Sequence, residues 1–289
     1  MPQWNCACPN CREARLGRIP ARTQSSVAVG DEHGSWFLIN ASPDLRSQIE
    51  AFPDLQPGPQ SPRNSPIAGV LLTNADLDHV LGLLSLREGG RLNIWATSAV
   101  RDILARRLGL DVILDSFCGA GWHEPATAKF SALGDEKKGK DGLLYRAIVL
   151  PGAPPPFTKG SSRDGTHSVA YQFMDSRTGE RLLVAPDVSA VNAGLREAVG
   201  ESGAVLFDGT FWSRDELRHV KSTAPQADEM GHVTIKDDSL ELLGRIGARQ
   251  KIYIHINNTN PVLARQSPER TAVESAGIVV GYDGLEFEV

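Results

Sequence analysis

The chain has 289 residues, 41% of them hydrophobic, enough to bury a substantial core, and no long flexible linker divides it, so a single domain over residues 1–289 is expected. Its net charge of −5 comes without any basic stripe, which excludes a general grip on nucleic acid, because neutralising phosphates needs a concentrated positive surface. No apolar run reaches the roughly 18 residues of a membrane span, and Met1 is followed by Pro2-Gln3-Trp4 rather than a charged and then apolar leader, so a cytoplasmic protein without membrane insertion is expected.

Three of the four cysteines, Cys6, Cys8 and Cys11, stand within one tight N-terminal turn. Three soft sulfur donors so close together suit a tetrahedral structural zinc ion, and exposed thiols at that spacing would otherwise invite oxidation. The fourth ligand must come from elsewhere, with His255, His232 and the amide of Asn258 as candidates. No thioredoxin-like βαβ context supports a redox Cys8/Cys11 pair. Cys118 is expected to be a buried, inert thiol.

Thr23–Val29 and Trp36–Ile39 are β-rich runs joined by Gly30-Asp31-Glu32-His33-Gly34, a hairpin pattern. The proline-rich stretch from Gln56 to Pro66 reads as an exposed loop. Ala68–Leu72 is a short apolar strand with both faces buried, ending in the polar loop Thr73-Asn74-Ala75-Asp76-Leu77-Asp78-His79, after which Val80, Leu81 and Gly82 lead into a helix. Leu92–Ala96 is a strand, and Thr97 or Ser98 can cap a helix to about Leu108. Tyr145–Leu150 is a strand, Asp164-Gly165 a turn, Ser168–Met174 a strand, and Ser176-Arg177-Thr178-Gly179 a hairpin onto Arg181–Ala185. Val188–Val199 reads as a helix, Ala204–Phe207 as a strand, Ser239–Ile246 as a helix, Lys251–Ile256 as a strand, and Pro268–Ala276 as a helix before two short closing strands. Antiparallel strands first, then strands alternating with helices, predict a layered α/β sandwich with helices outside.

Asp76, Asp78 and His79 follow a buried strand, where their desolvation would be costly unless they face a cavity or an ion. His255 sits at a similar strand end, where alternation points it away from the face of Ile254 and Ile256. Joined in space, Asp78, His79 and His255 make a two-histidine, one-carboxylate set that suits iron(II) with open positions, and also zinc, with Asp76 as a further partner. The plainer alternative is that Asp78 caps the following helix and His79 packs beneath it.

The blocks Pro2-Gln3-Trp4-Asn5-Cys6, Arg22-Thr23-Gln24-Ser25-Ser26, Asn40-Ala41-Ser42-Pro43-Asp44, Gly82-Leu83-Leu84-Ser85-Leu86-Arg87-Glu88, Asp208-Gly209-Thr210, Met230-Gly231-His232 and His255-Ile256-Asn257-Asn258-Thr259-Asn260-Pro261 run through the chain in order. Together they strongly resemble the pyrroloquinoline quinone (PQQ) biosynthesis protein B family, essentially from end to end. The resemblance implies a metallo-β-lactamase αββα sandwich and a role in making PQQ from a peptide precursor. It implies either an iron- and oxygen-dependent hydroxylase acting on the tyrosine ring of a peptide-derived Glu-Tyr intermediate, or a non-catalytic carrier moving PQQ toward the periplasm. Partners would be that intermediate or PQQ, and other proteins of the pathway.

Against the wider superfamily signature His-x-His-x-Asp-His, Asn74 and Asp76 replace two histidines. No third-site histidine is evident around Pro151–Pro156, and the position of a bridging aspartate reads Pro186, with Asp187 only its neighbour. That disfavours a dinuclear hydrolase. Family members begin with a β-strand and glycine-rich turn before Pro-Gln-Trp-Asn, so the first strand of the sheet is expected to be lacking here.

Of the remaining candidates, His232 beside Gly231 can bond substrate or relay a proton, and Asp208 can orient a ligand histidine or stabilise its turn. Asn257, Asn258 and Asn260 offer amides to substrate carboxylates or to their own loop. His33, His123, His167 and His219 lie in polar surroundings and read as solvated. Arg87 can meet an acidic substrate or pair with Glu88 or Asp44.

Overall fold

The computed structural model describes residues 1–134, 142–158 and 165–289. Asp164 of the expected Asp164-Gly165 turn lies outside them. The chain forms two compact units, one of Met1–Thr23 with Glu180–Val289, the other Gln24–Gly179.

In the 24–179 unit, β1 (Val27–Gly30) and β2 (Trp36–Ile39) form the expected hairpin, Gly30 pairing with Trp36. β3 (Ile67–Leu71), β4 (Leu92–Trp95) and β5 (Ala120–His123) extend that sheet in parallel. Three antiparallel strands, β6 (Ser131–Ala132), β7 (Leu143–Leu150) and β8 (Ser168–Asp175), form a second layer. The layers meet where Trp95 packs on Tyr145 (6.4 Å), with Phe37 beside Trp95 in the first sheet (6.0 Å) and Tyr171 beside Tyr145 in the second layer (6.3 Å). Such rings bring large apolar area into the interior, and the Tyr171 hydroxyl finds a polar partner in the Leu72 carbonyl at 3.0 Å.

On its other face the five-stranded sheet packs Val70, Leu72 and Ile94 with Val100, Ile103, Leu104 and Leu114. These come from α4 (Ser98–Leu108), capped by the Thr97 hydroxyl as the sequence predicts, and α5 (Leu110–Phe117), while α2 (Leu45–Ala51) lies earlier in the chain. The short helix α3 (Leu77–Val80) begins earlier than expected. Asp78 and His79 are therefore helical residues, and Asp76, not Asp78, is the cap position.

The other unit opens with α1 (Pro9–Arg15) and contains four parallel strands, β9 (Arg181–Ala185), β10 (Ala204–Asp208), β11 (Gln250–Ile254) and β12 (Val279–Val280). Helices α6 (Ala193–Glu201), α7 (Leu240–Arg245) and α8 (Pro268–Ser275) supply the crossovers. All five β10 residues are buried, as befits a central parallel strand covered on both faces. Because these strands run the same way, their carboxyl ends share one edge of the sheet, the usual place for ligands in such layers.

Several expectations need correction here. Helix α6 starts at Ala193, behind the Asn192 cap, rather than at Val188, whose amide donates to Asp208 (2.9 Å) and whose carbonyl receives the Val233 amide (2.7 Å). Strand β11 ends at Ile254, because His255 takes a left-handed backbone (φ 56°), so strand alternation does not decide where that ring points. Beyond β12 the final residues form no second strand. His167 is buried rather than solvated, and Cys118 is half-buried.

Candidate metal centre

Three strand ends of the 1–23/180–289 unit bring titratable side chains together. Asp187 follows β9, Asp208 closes β10 and His255 follows β11, while His232 arrives on the loop after Gly231. Asp187, His232 and His255 can each place a ligand atom within 4.8 Å of the others. The Asp187 Oδ1 lies 3.7 Å from His232 Nε2 and 3.6 Å from His255 Nδ1, and the two imidazoles stack at 5.5 Å with planes 25° apart.

Asp208, 1% exposed, organises this group. Its Oδ2 accepts from the Val188 amide (2.9 Å) and His232 Nδ1 (2.7 Å), and its Oδ1 from the Thr210 amide (2.9 Å) and hydroxyl (2.6 Å). A buried carboxylate with every oxygen satisfied is affordable and rigid, and it fixes the tautomer of the ring it binds. Burial, the largest influence on His232, pushes its imidazolium down, but the Asp208 charge, the hydrogen bond to it and Asp187 outweigh that and hold the ring above its ordinary value. Asp208 is thus the orienting residue the sequence suggested. Asp187, set aside in the sequence as a mere neighbour of Pro186, belongs to the cluster. The signal that could have found it was its place two residues past a buried parallel strand, a strand end like those of Asp208 and His255.

The cysteine turn is built in the same unit. The sulfurs of Cys6, Cys8 and Cys11 lie within 4.8 Å of one another, compatible with the roughly 3.8 Å separation that tetrahedral Zn–S bonds of about 2.3 Å impose. Among the fourth-ligand candidates, Asn258 is the one brought to them: its amide Nδ2 is 3.3, 3.5 and 3.4 Å from the three sulfurs. Turning that amide over would present its oxygen to the same point. Burial pushes the Cys8 thiol up, yet hydrogen bonds from the Cys11 amide and Asn258 bring it below its ordinary value, whereas burial keeps Cys11 above. Asn10 anchors the loop by donating to the carbonyls of Asn258 (3.0 Å) and Asn260 (2.9 Å). Asn260 in turn donates to the Gly209 carbonyl past β10 (2.9 Å), and the Asn257 amide donates to the Thr259 hydroxyl within its own loop (2.6 Å), so both amides are taken by protein partners.

Nearby, Glu216 is a buried carboxyl that no sequence pattern marked. Burial pushes it to about 7 despite hydrogen bonds from the Thr259 hydroxyl (2.5 Å) and the Trp212 amide (2.7 Å).

In the 24–179 unit, His79 is 1% exposed, its Nδ1 within 2.9 Å of Asn74 Oδ1, 3.1 Å of Asn40 Nδ2 and 3.3 Å of Thr73 Oγ1. Only the Asn74 oxygen is an obligate acceptor, so a proton on Nδ1 fits best and leaves Nε2 as the lone-pair nitrogen. Asp78 reaches to 3.9 Å from that Nε2, with its side chain 44% exposed, and the Asp76 carbonyl accepts the His79 amide (2.9 Å). Asn74, which stands where the superfamily signature has a histidine, therefore serves as a ring-orienting residue. Arg87 meets Glu88 (3.4 Å), the Leu84 carbonyl (2.7 Å) and the face of Phe117 (5.6 Å), ordinary structural partners.

Among the described residues no helix is long and apolar enough to cross a membrane. The family model for the β-lactamase superfamily domain matches residues 35–256. The chain is 39% identical over 292 residues to the coenzyme PQQ synthesis protein B of Ectopseudomonas mendocina, covering 99% of this chain and 95% of that protein. It is 37% identical over 294 residues to the protein of the same description from Stutzerimonas stutzeri, covering 100% and 95%. The crystal structure of zinc-bound PqqB from Methylobacterium extorquens superposes with a TM-score of 0.88 at 33% identity, covering 100% of this chain and 95% of that one.

Proposed function

Because the chain belongs to the coenzyme PQQ synthesis protein B family and has the metallo-β-lactamase fold, we propose that it acts in PQQ biosynthesis as a mononuclear, oxygen-dependent hydroxylase. Its substrate would be the tyrosine ring of a peptide-derived Glu-Tyr intermediate. Asp78, His79 and His255 would hold iron(II), a carboxylate and two imidazoles being the donor set of non-haem iron oxygenases, and zinc could occupy the same donors. When bound, that ion would supply the activation of dioxygen. A structural zinc would sit on Cys6, Cys8, Cys11 and Asn258, and the protein would work in the cytoplasm with other proteins of the pathway.

The observation that carries this reading is the strand-end cluster built on Asp208. His232 keeps its Nδ1 proton on that carboxylate, which leaves Nε2 facing Asp187 and able to take a proton from substrate and return it. Asp76 would steer protons or substrate from beside His79. The buried Asp208 keeps the imidazole from turning, so the proton stays at one atom.

The test is anaerobic loading with iron(II), followed by oxygen-uptake measurement with the cross-linked Glu-Tyr intermediate. Uptake with ring hydroxylation, abolished by His255→Ala and reduced by about 10²- to 10⁴-fold in His232→Ala, is expected. Tight binding of PQQ with no oxygen consumption would replace this reading with the carrier role.

A further inference from the structure

The geometry points to Thr210 as the positioning residue that sets the tautomer of His255, an inference that rests on His255 being a metal ligand as proposed above. Thr210 follows β10 by two residues, and its hydroxyl oxygen lies between Asp208 Oδ1 at 2.6 Å and His255 Nδ1 at 2.9 Å. A hydroxyl has one proton to give. An ionised carboxylate oxygen can only accept, and Asp208 Oδ1 is both the closest acceptor and the charged one, so the Thr210 proton goes there. The His255 carbonyl, 2.9 Å away, is neutral and more distant, and is the weaker competitor.

With its proton committed, the Thr210 oxygen has only lone pairs to offer the imidazole. Nδ1 of His255 must then be the donor, and Nε2 is left with the bare lone pair that a metal requires. The Asp208 carboxylate thus reaches both imidazoles, His232 directly and His255 through one hydroxyl. Val188, whose amide it also receives, follows Asp187, so one buried anion holds the whole Asp187–His232–His255 group. The backbone supports the same contact. The Asn257 amide donates to the Thr210 carbonyl (3.1 Å) and the Gly209 amide to the Ile254 carbonyl (2.8 Å), locking the two strand ends in register around His255.

The experiment is long-range ¹H–¹⁵N imidazole spectroscopy on metal-free, histidine-labelled full chain, together with zinc titration. In the unsubstituted chain, His255 should show a protonated Nδ1 and a lone-pair Nε2. Thr210→Val, which keeps the side-chain shape and removes the hydroxyl, should move the ring toward the other tautomer and weaken zinc binding at the histidine site about 10- to 100-fold. Thr210→Ser should restore both, and an unchanged near-ultraviolet circular dichroism spectrum would show that the fold persists. A Thr210→Val protein whose His255 ring keeps the original tautomer would overturn the inference. If the ring follows Thr210 while the unsubstituted chain takes up no metal at His255, the positioning role stands and the metal reading falls.

Discussion

At position 216 a carboxyl group is kept protonated by its surroundings well above the pH at which it would ionise in an unfolded chain. Folding raises it from 4.5 to about 7, so between those values the unfolded state has lost the proton and the folded state keeps it. Stability from this group is therefore complete below pH 4.5 and is lost as pH rises to about 7, beyond which the deficit stays constant. A gap of that size corresponds to about 3 kcal/mol. Glu216→Gln keeps a carbonyl for the Trp212 amide and offers an amide to Thr259, mimicking the protonated acid without titrating. Denaturant unfolding at pH 5 and pH 8 should show the glutamine variant gaining on the original chain at the higher pH, and parallel profiles would refute the assignment. Nothing in the sequence marked this residue, because its environment is assembled by Trp212 and Thr259, one near and one 43 positions away.

At the scale of elements, the sequence revealed strands and their polar ends better than the loops between them. The hairpin Val27–Ile39, the two-sided burial of β3 and the Thr97 cap were legible because period and capping chemistry are local signals. The start of α6 was misplaced because the apolar Val188, which reads as the first helical residue, is diverted to a tertiary hydrogen bond with Asp208. The strand-end group was half legible. In the 1–23/180–289 unit Asp208, His232 and His255 stood out by type and position, as Asp76, Asp78 and His79 did in the 24–179 unit, whereas Asp187 was passed over and the roles of Thr210 and Asn40 depend on pairings that sequence spacing does not encode.

One element-scale contact invites a direct test. Gly82, just past α3, donates its amide to the Ala41 carbonyl (2.9 Å), and the Ala41 amide donates to the His79 carbonyl (2.7 Å). A methyl group at Gly82 would fall 2.2 Å from the Ser42 carbonyl oxygen, a backbone atom that cannot swing aside. Gly82→Ala should cost about 2 kcal/mol and lower the melting temperature by about 5 °C. Gly90→Ala, where no atom lies within 4 Å, should leave it unchanged, and equal melting of the two variants would contradict the packing argument.

For the whole molecule, the cysteine turn joins residues some 250 positions apart in sequence, since Cys8 meets the Asn258 carbonyl at 3.5 Å. A clip that closes so long a loop stabilises mainly by restricting the unfolded chain, and cross-links over loops of 100 residues or more are worth about 4 to 5 kcal/mol before strain. If the proposed zinc ties this turn, Cys8→Ser should remove one equivalent of zinc and lower the melting temperature by about 10 °C. Metal analysis with calorimetry checks this, and an unchanged zinc content would sink the proposed clip. The fold itself was legible as layers from the order of elements, but only the matching blocks of sequence pointed to its family, because many families share that order.

The left-handed backbone at His255 sets the proposed ligand role against durability at a single residue. A side chain at φ 56° costs of order 1 kcal/mol that glycine would not bear, so an imidazole stands there at the expense of conformational ease. His255→Gly should therefore unfold at higher denaturant than His255→Ala, while neither retains the imidazole. The residue best suited to this corner of the backbone is one with no imidazole to offer the proposed ion.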